Sequence, residues 1–349
     1  MRKHGELPMP PGQRRGLVTG GGTNRPLQPI SAAMAIVTAT QDTIRRAGEA
    51  LRRGDIVAFP TETVYGLGAN ALDPSAVVKV FAAKARPRFN PLIVHVLGVE
   101  EAETYAVVNA TAQKLTQAFW PGPLSLVLPR RTPCAIPPLV SAGLDTIALR
   151  APKHPVARVL LKEAKLPIAA PSANRSGRLS PTTALHVAAE LGDVPSMILD
   201  GGPCPLGLES TVVGIAGDRV TLLRTGALPR LAIEEVLGQR VATAAPSAPI
   251  TSPGQIKSHY APSTPLRLDT VEPGPGEALL AFGPSAPAFA GPTINLSQRG
   301  DLNEAAVNFF ASLRSLDEAG ARAIAVMPIP RHGLGEAIND RLGRASAPR

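Results

Sequence analysis

The chain has 349 residues, with 36 Lys plus Arg against 27 Asp plus Glu and a formal net charge of +9. That length suits about two domains, and 44% hydrophobic residues exclude a wholly disordered chain. With 8 Phe, 3 Tyr and 1 Trp, a surface that reads RNA by base stacking starts at a disadvantage.

Residues 1–33 are rich in Gly, Pro and Arg, lack a hydrophobic period and carry +4, so they read as a disordered basic tail. The last nine residues, with Arg341, Arg344 and Arg349, carry a further +3 and leave +2 for residues 34–340, so the basic balance reads as lying mostly in the two tails. Helical spacing of Ile44, Ala47 and Leu51 predicts a helix ending near Gly54, followed by a short buried strand at Ile56–Phe59. Asp73-Pro74 opens a second helix with Val77, Val78, Val80 and Phe81 as its apolar positions. Strands are expected at 91–97, 124–128 and 146–150, and helices at 109–119 and 154–164. A strand at 166–170 and a helix opened by Ser180-Pro181 follow. Adjacent strands at 196–199, 211–215 and 219–224 argue for a mixed sheet in an α/β fold, with a short helix after Pro229.

Residues 34–241 thus form one α/β domain. The Ala-, Pro- and Ser-rich stretch 242–265 reads as a linker. Beyond it, strands at 266–268, 278–282 and 323–327 and a helix at 301–319 make a small α/β unit over 266–349. The longest uncharged stretch, 278–298, contains Gly283, Pro284, Pro287, Gly291 and Pro292, a combination that no membrane-spanning helix would carry. The basic start has no apolar core for a secretory signal. Cys134 and Cys204 lack Cys-x-x-Cys spacing, which excludes a disulfide scaffold, argues against zinc and points to a reducing, cytoplasmic compartment.

Three segments have the composition of chemistry. Phe59 to Gly68 (FPTETVYGLG) follows a strand, where α/β sheets bind ligands. Thr61 and Thr63 offer hydroxyls there, and Gly66 and Gly68 would let backbone amides approach; an ordinary polar turn fits as well. Lys84-Ala85-Arg86-Pro87-Arg88-Phe89-Asn90-Pro91 bunches cations without an acid, which suits polyphosphate. His95 in the following apolar strand reads, on statistics alone, as a core histidine. Pro171 to Thr182 places Ser172, Asn174, Arg175 and Arg178 before a helix, an anion-site composition with no acid near the arginines. No phosphate-binding loop of the Gly-x-x-x-x-Gly-Lys-Ser/Thr type, no dinucleotide fingerprint and no acidic two-metal cluster is present in the sequence. The residues alone therefore reach a cleft suited to a nucleoside triphosphate and a small polar substrate.

In order, these segments resemble the threonylcarbamoyl-AMP synthase family, in its long form with a YrdC-type domain and a second C-terminal domain. The resemblance rests on Pro60–Gly68, Lys84–Arg88, Asn90-Pro91-Leu92 with His95, and Trp120 to Leu124. It extends through Ser172-Ala173-Asn174, Ser180-Pro181-Thr182, Glu209-Ser210-Thr211, Arg224-Thr225-Gly226, and Ser252-Pro253-Gly254 with His259 to Pro262. Gln255-Ile256-Lys257-Ser258 departs from the family pattern. The resemblance implies a YrdC-like twisted mixed sheet followed by a small Rossmann-like C-terminal domain. It implies a nucleotidyltransferase that makes L-threonylcarbamoyladenylate from ATP, L-threonine and bicarbonate with release of pyrophosphate. That product would feed a downstream tRNA transferase that forms threonylcarbamoyladenosine next to the anticodon. Mg2+ would arrive with ATP, with no tightly bound metal of the protein's own.

By the same resemblance Lys84, Arg86 and Arg88 would stabilise the leaving pyrophosphate. Thr63, His95, Arg150, Ser172 and Ser210 would hold threonine, with Arg150 on its carboxylate. Arg86, Asn90, Thr146, Asn174, Thr182, Arg224 and Tyr260 would contact ATP. Neither a membrane nor tight nucleic-acid binding is expected. The rival is an RNA-binding or ribosome-maturation factor without this activity, marked by salt-sensitive RNA affinity. A related carbamoyl-transfer module is disfavoured because no acylphosphatase-like or zinc-finger region accompanies the chain.

Overall fold

The computed structural model describes residues 36–245, 251–252, 254 and 259–348. The tail expected over 1–33 and the departure at Gln255–Ser258 lie outside them. After β1 (Ile36–Thr38), Thr40 and Thr43 form a reciprocal capping box that starts α1 (Gln41–Arg52). Next come β2 (Val57–Phe59), β3 (Gly66–Asn70) and α2 (Pro74–Lys84), opened by the Asp73 carboxylate accepting from Ser75 N–H. β4 (Ile93–His95), α3 (Val99–Ala102), the Asn109-capped α4 (Ala110–Phe119), β5 (Leu124–Pro129) and β6 (Thr146–Arg150) follow. The chain continues through α5 (Pro155–Ala164), β7 (Ile168–Ala169), α6 (Ala184–Leu191) and β8 (Met197–Asp200). β9 (Thr211–Ala216), β10 (Arg219–Arg224), α7 (Arg230–Leu237) and β11 (Ala242–Thr243) complete the first sheet.

These strands build one 11-stranded sheet in the order β1-β8-β2-β3-β7-β4-β6-β5-β9-β10-β11. Parallel pairs such as β4–β6 and β5–β9 alternate with antiparallel ones such as β5–β6 and β9–β10, so the sheet is mixed. Both faces are covered, and strand alternation shows how. Val57 and Phe59 belong to the cluster that holds Leu51 of α1 and Leu160 of α5, whereas Ala58 between them belongs to the cluster on the other face, with Val80 and Phe81 of α2. The second sheet, β12 (Leu266–Arg267), β13 (Ala278–Ala281), β14 (Thr293–Asn295) and β15 (Ile324–Val326), is wholly parallel in the order β12-β15-β13-β14. It carries α8 (Leu302–Asp317) and α9 (Leu334–Ala345).

The second sheet's core is not self-contained. Phe309, Phe310 and Leu313 of α8 pack in one cluster with Val64, Leu179 and Leu208 from loops of the first sheet. Three sequence expectations are corrected here. Val78, counted among the apolar positions of α2, is 41% exposed. The helix expected from Ser180-Pro181 begins only after Thr183, which caps it; Pro181 O is taken by Tyr65 N–H, so the chain stays extended longer. The C-terminal charge is not a tail: α9 runs to Ala345, and Arg341 is fully buried.

Gly207 fixes how closely the two parts approach. Its φ of +71° favours glycine, and a Cβ there would stand 2.3 Å from Ala306 O and 2.6 Å from Val307 Cα of α8. Gly207→Ala is therefore expected to cost more than about 2 kcal/mol, from left-handed strain plus a backbone clash. A thermal melt checks it; an unchanged melting temperature would contradict this packing.

Candidate active site

Three loops that flank the central strands of the large sheet are stitched together before any ligand is considered. Between β2 and β3, Thr61 Oγ1 donates to Val64 O at 2.7 Å and lies 2.8 Å from Thr63 Oγ1. The turn's own hydroxyls thus shape it. Tyr65 N–H donates to Pro181 O, Ala173 N–H donates to Tyr65 O, and Gly66 bridges Ser172, which ties this loop to residues 171–182. At the end of α2, Ala85 adopts the left-handed region (φ 48°, ψ 43°) and reverses the chain. Arg86 then turns inward, where its Nε and Nη2 donate to Asn90 O at 3.1 Å and Pro91 O at 2.8 Å.

Arg150, at the end of β6, is the most heavily braced cation. It donates to Glu62 Oε1, to Thr63 Oγ1 at 2.9 Å and to Gly122 O at 3.3 Å. Glu62 Oε2 accepts from the backbone N–H groups of Lys153 and His154. Burial alone would raise the Glu62 carboxyl, but the Arg150 charge and these donors hold it below its usual range. His95 lies beside them. Burial first, and the Arg150 charge second, push its imidazole down to about 3, so it is neutral at ordinary pH. Its Nδ1 finds no partner among the described residues.

Arg86 and Arg224 bring further positive charge. Burial, with repulsion from Arg224, lowers the Arg86 guanidinium to about 9, which leaves it cationic at neutral pH. Arg224 Nη2 donates to Ser210 O at 2.8 Å and to Ser210 Oγ at 3.2 Å, while Ser210 Oγ also meets Ser125 Oγ at 2.8 Å. Over this wall lies the segment carrying Gly254, His259 and Tyr260. A Cβ on Gly254, whose φ is +90°, would fall 2.5 Å from Arg224 Cδ and 2.9 Å from the Tyr260 hydroxyl. Burial and the surrounding cations keep His259 neutral.

One cavity results. Of the sequence-predicted residues it is lined by Thr63, Arg86, His95, Arg150, Ser172, Ser210, Arg224 and Tyr260. Others stand elsewhere. The Lys84 ammonium is buried and donates to Ser172 O and Asn174 O, so it clamps the Ser172 loop rather than facing the cavity. Arg88 is exposed. Asn90 and Asn174 are buried and are not among the residues lining the cavity; neither amide atom of Asn90, nor Asn174 Oδ1, has a partner among the described residues. Thr182 Oγ1 lies 3.3 Å from His186 Nδ1. Thr146, half-buried at the start of the strand that Arg150 ends, is not among the residues lining the cavity.

Two details of the motif reading change as well. Gly66 lines the cavity, but Gly68 is small because Phe59 and Ile168 fill the place of its side chain, each 2.8 Å from a would-be Cβ. Arg178 has an acid after all, Asp317 of α8 at 3.7 Å, and Arg175 Nε donates to Glu190 O. Sequence reasoning assigned no role to Glu62, Glu209 or Arg341. Glu62 sat inside a recognised motif, and an acid between two threonines beside an otherwise cationic site was the available signal. The cluster sets arginine cations beside neutral hydroxyls and an uncharged imidazole. It can hold a polyanion next to a small polar molecule.

Two family models match the chain. One, described as telomere recombination, covers residues 49–226; the other, the C-terminal domain of threonylcarbamoyl-AMP synthase, covers 229–347. The threonylcarbamoyl-AMP synthase of Bacillus subtilis (strain 168) is 40% identical over 325 residues, spanning 88% of this chain and 93% of that protein. The synthase of Pyrococcus abyssi is 40% identical over 320 residues, spanning 87% and 94%. The crystal structure of P. abyssi Sua5 complexed with L-threonine matches with a TM-score of 0.82 at 37% identity, covering 89% of this chain and 96% of that one.

The neutral histidines set an acid limit. His95 titrates near 3 and His186 near 4 when folded, against about 6.5 unfolded. The unfolded chain therefore binds more protons below pH 6.5. Stability is full above that value and is lost as pH falls toward 3, at up to about 1.4 kcal/mol per pH unit for each group. Melting temperatures measured from pH 7 to 4 are expected to fall steadily; a flat profile would contradict a buried, neutral His95.

Proposed function

The chain belongs to the threonylcarbamoyl-AMP synthase family, and we propose that it makes L-threonylcarbamoyladenylate from ATP, L-threonine and bicarbonate, releasing pyrophosphate. Enzymes of this family are transferases of tRNA modification. The finer reading is that the product supplies a transferase acting on the adenosine next to the anticodon, in the cytoplasm. No described helix is long and apolar enough to cross a membrane. The observation that carries the proposal is the convergence of Thr63, Arg86, His95, Arg150, Ser172, Ser210, Arg224 and Tyr260 on one cavity.

Each step asks for groups of the kind found there. Arg150 still has two N–H groups beyond its bonds to Glu62, Thr63 and Gly122, enough for the carboxylate of an amino acid, while Glu62 keeps its plane fixed. His95 Nδ1 would accept from the threonine hydroxyl, with Ser172 and Thr63 alongside. The threonine amine, as the free base, takes up bicarbonate with loss of water to give the N-carboxylate. A carbamate oxygen then bonds to the α-phosphorus of ATP. The α–β bridging P–O bond breaks, and its electron pair leaves with pyrophosphate.

Nothing in this sequence requires a protein nucleophile. The protein's part is positioning and charge stabilisation. Arg86 directs its remaining N–H groups to the phosphates, Arg224 supports Ser210 beside them, and Tyr260 covers the nucleotide. Mg2+ enters as part of MgATP. Both oxygens of Glu209, the acid among the described cavity-lining residues, already accept from protein donors, so the phosphates would carry the ion. Lys84 acts by holding the Ser172 loop.

Incubation with labelled ATP, L-threonine, bicarbonate and Mg2+ tests the proposal. A threonylcarbamoyl adenylate is expected to form only when threonine and bicarbonate are both present; active protein that yields none would sink it. Arg86→Ala is expected to lower turnover by roughly a hundredfold or more with an unchanged far-ultraviolet spectrum. Wild-type turnover in that variant would remove the role given to Arg86.

A further inference from the structure

Arg341 lies on α9, beyond every motif that marks the site, yet its guanidinium reaches three of them. Nε donates to Glu209 Oε2 at 3.0 Å, and Nη2 donates to Thr225 O at 2.7 Å. Nη1 donates to Asp340 Oδ2 at 2.8 Å and reaches Thr225 Oγ1 at 3.4 Å. The same guanidinium carbon stands 5.0 Å from the centroid of the Tyr260 ring. The side chain is fully buried. Glu209, its carboxylate partner, is the one acid among the described residues lining the cavity, and its Oε1 accepts from Ser180 Oγ. Thr225 follows Arg224, whose guanidinium holds Ser210.

We propose that Arg341 is a positioning residue for nucleotide binding, supplied by the C-terminal domain. It neutralises the acid in the cavity wall and braces the Ser180 loop, the Thr225 turn and Tyr260 in one arrangement. This rests on reading the cavity as the ATP site. A polyphosphate next to a bare buried carboxylate would be repelled at short range in a poorly screened medium. A planar fork that donates along several directions at once is what a lysine could not supply. Asp340 explains why the fork is already aimed: it holds Arg341 Nη1 and also accepts from Arg344 Nε on the same helix. The C-terminal domain therefore does more than cover the site. It contributes the cation that pairs with Glu209.

The test uses the full chain and measures the Kd of MgATP and, separately, of L-threonine by calorimetry. Arg341→Met is expected to weaken ATP binding roughly tenfold or more, with threonine affinity changed by less than about twofold. Adding Glu209→Gln to that variant is expected to recover most of the loss, because the repelling charge is then gone. Glu209→Gln alone, isosteric with the native side chain, is expected to bind ATP at least as tightly as the wild type. Unchanged ATP affinity in Arg341→Met, equal weakening in the single and double variants, or weaker binding in Glu209→Gln alone would each overturn the assignment. The last comparison stands even if Arg341→Met fails to fold. A wild-type chain that binds no MgATP overturns the proposed function along with it, whereas wild-type binding with an indifferent Arg341→Met overturns this inference alone.

Discussion

Crowding cations around a desolvated cavity is costly, and the rest of the structure depends on how that cost is met. Arg86, Arg150 and Arg224 face one space, with Lys84 and Arg341 buried just behind it. Among the described residues Arg150 is matched by the Glu62 carboxylate and Arg341 by those of Glu209 and Asp340. The others spend donors on backbone carbonyls: Lys84 on Ser172 and Asn174, Arg86 on Asn90 and Pro91, and Arg224 on Ser210. Carbonyl oxygens satisfy hydrogen bonds without cancelling charge. Positive potential therefore survives at Arg86 and Arg224 and is largely cancelled at Arg150. Removing either partner of a buried pair such as Arg150–Glu62 would leave a lone charge, at a cost of about 3–5 kcal/mol.

Local pattern made much of this legible. Asp73-Pro74 marks the start of α2, the spacing of Ile44, Ala47 and Leu51 marks α1, and adjacent late strands mark a mixed sheet; all three appear in the structure. The resemblance named eight residues that meet in one cavity. What the sequence concealed depends on distant partners. Arg341 and Glu209 are 132 positions apart, and no local feature of α9 says that its arginine is buried. Arg178 looked free of acids because Asp317 belongs to another sheet's helix. Gly68 resembled a ligand-approach glycine, but the atoms filling its place come from Phe59 and from Ile168 on β7. Lys84 was rich in charge yet turned to carbonyls of a loop 88 and 90 residues later. In each case residue type was readable and direction was not.

The contact at Gly207 restricts how the two sheets can move against each other. A Cα resting on the backbone of Ala306 and Val307 has no side chain to change rotamer. Sliding α8 along that surface would drive its peptide groups and side chains into the glycine's backbone. Shear of the kind that packed helices tolerate through side-chain adjustment is unavailable there. The small residue that permits the closest approach thus also removes the slack by which packed surfaces slip past each other.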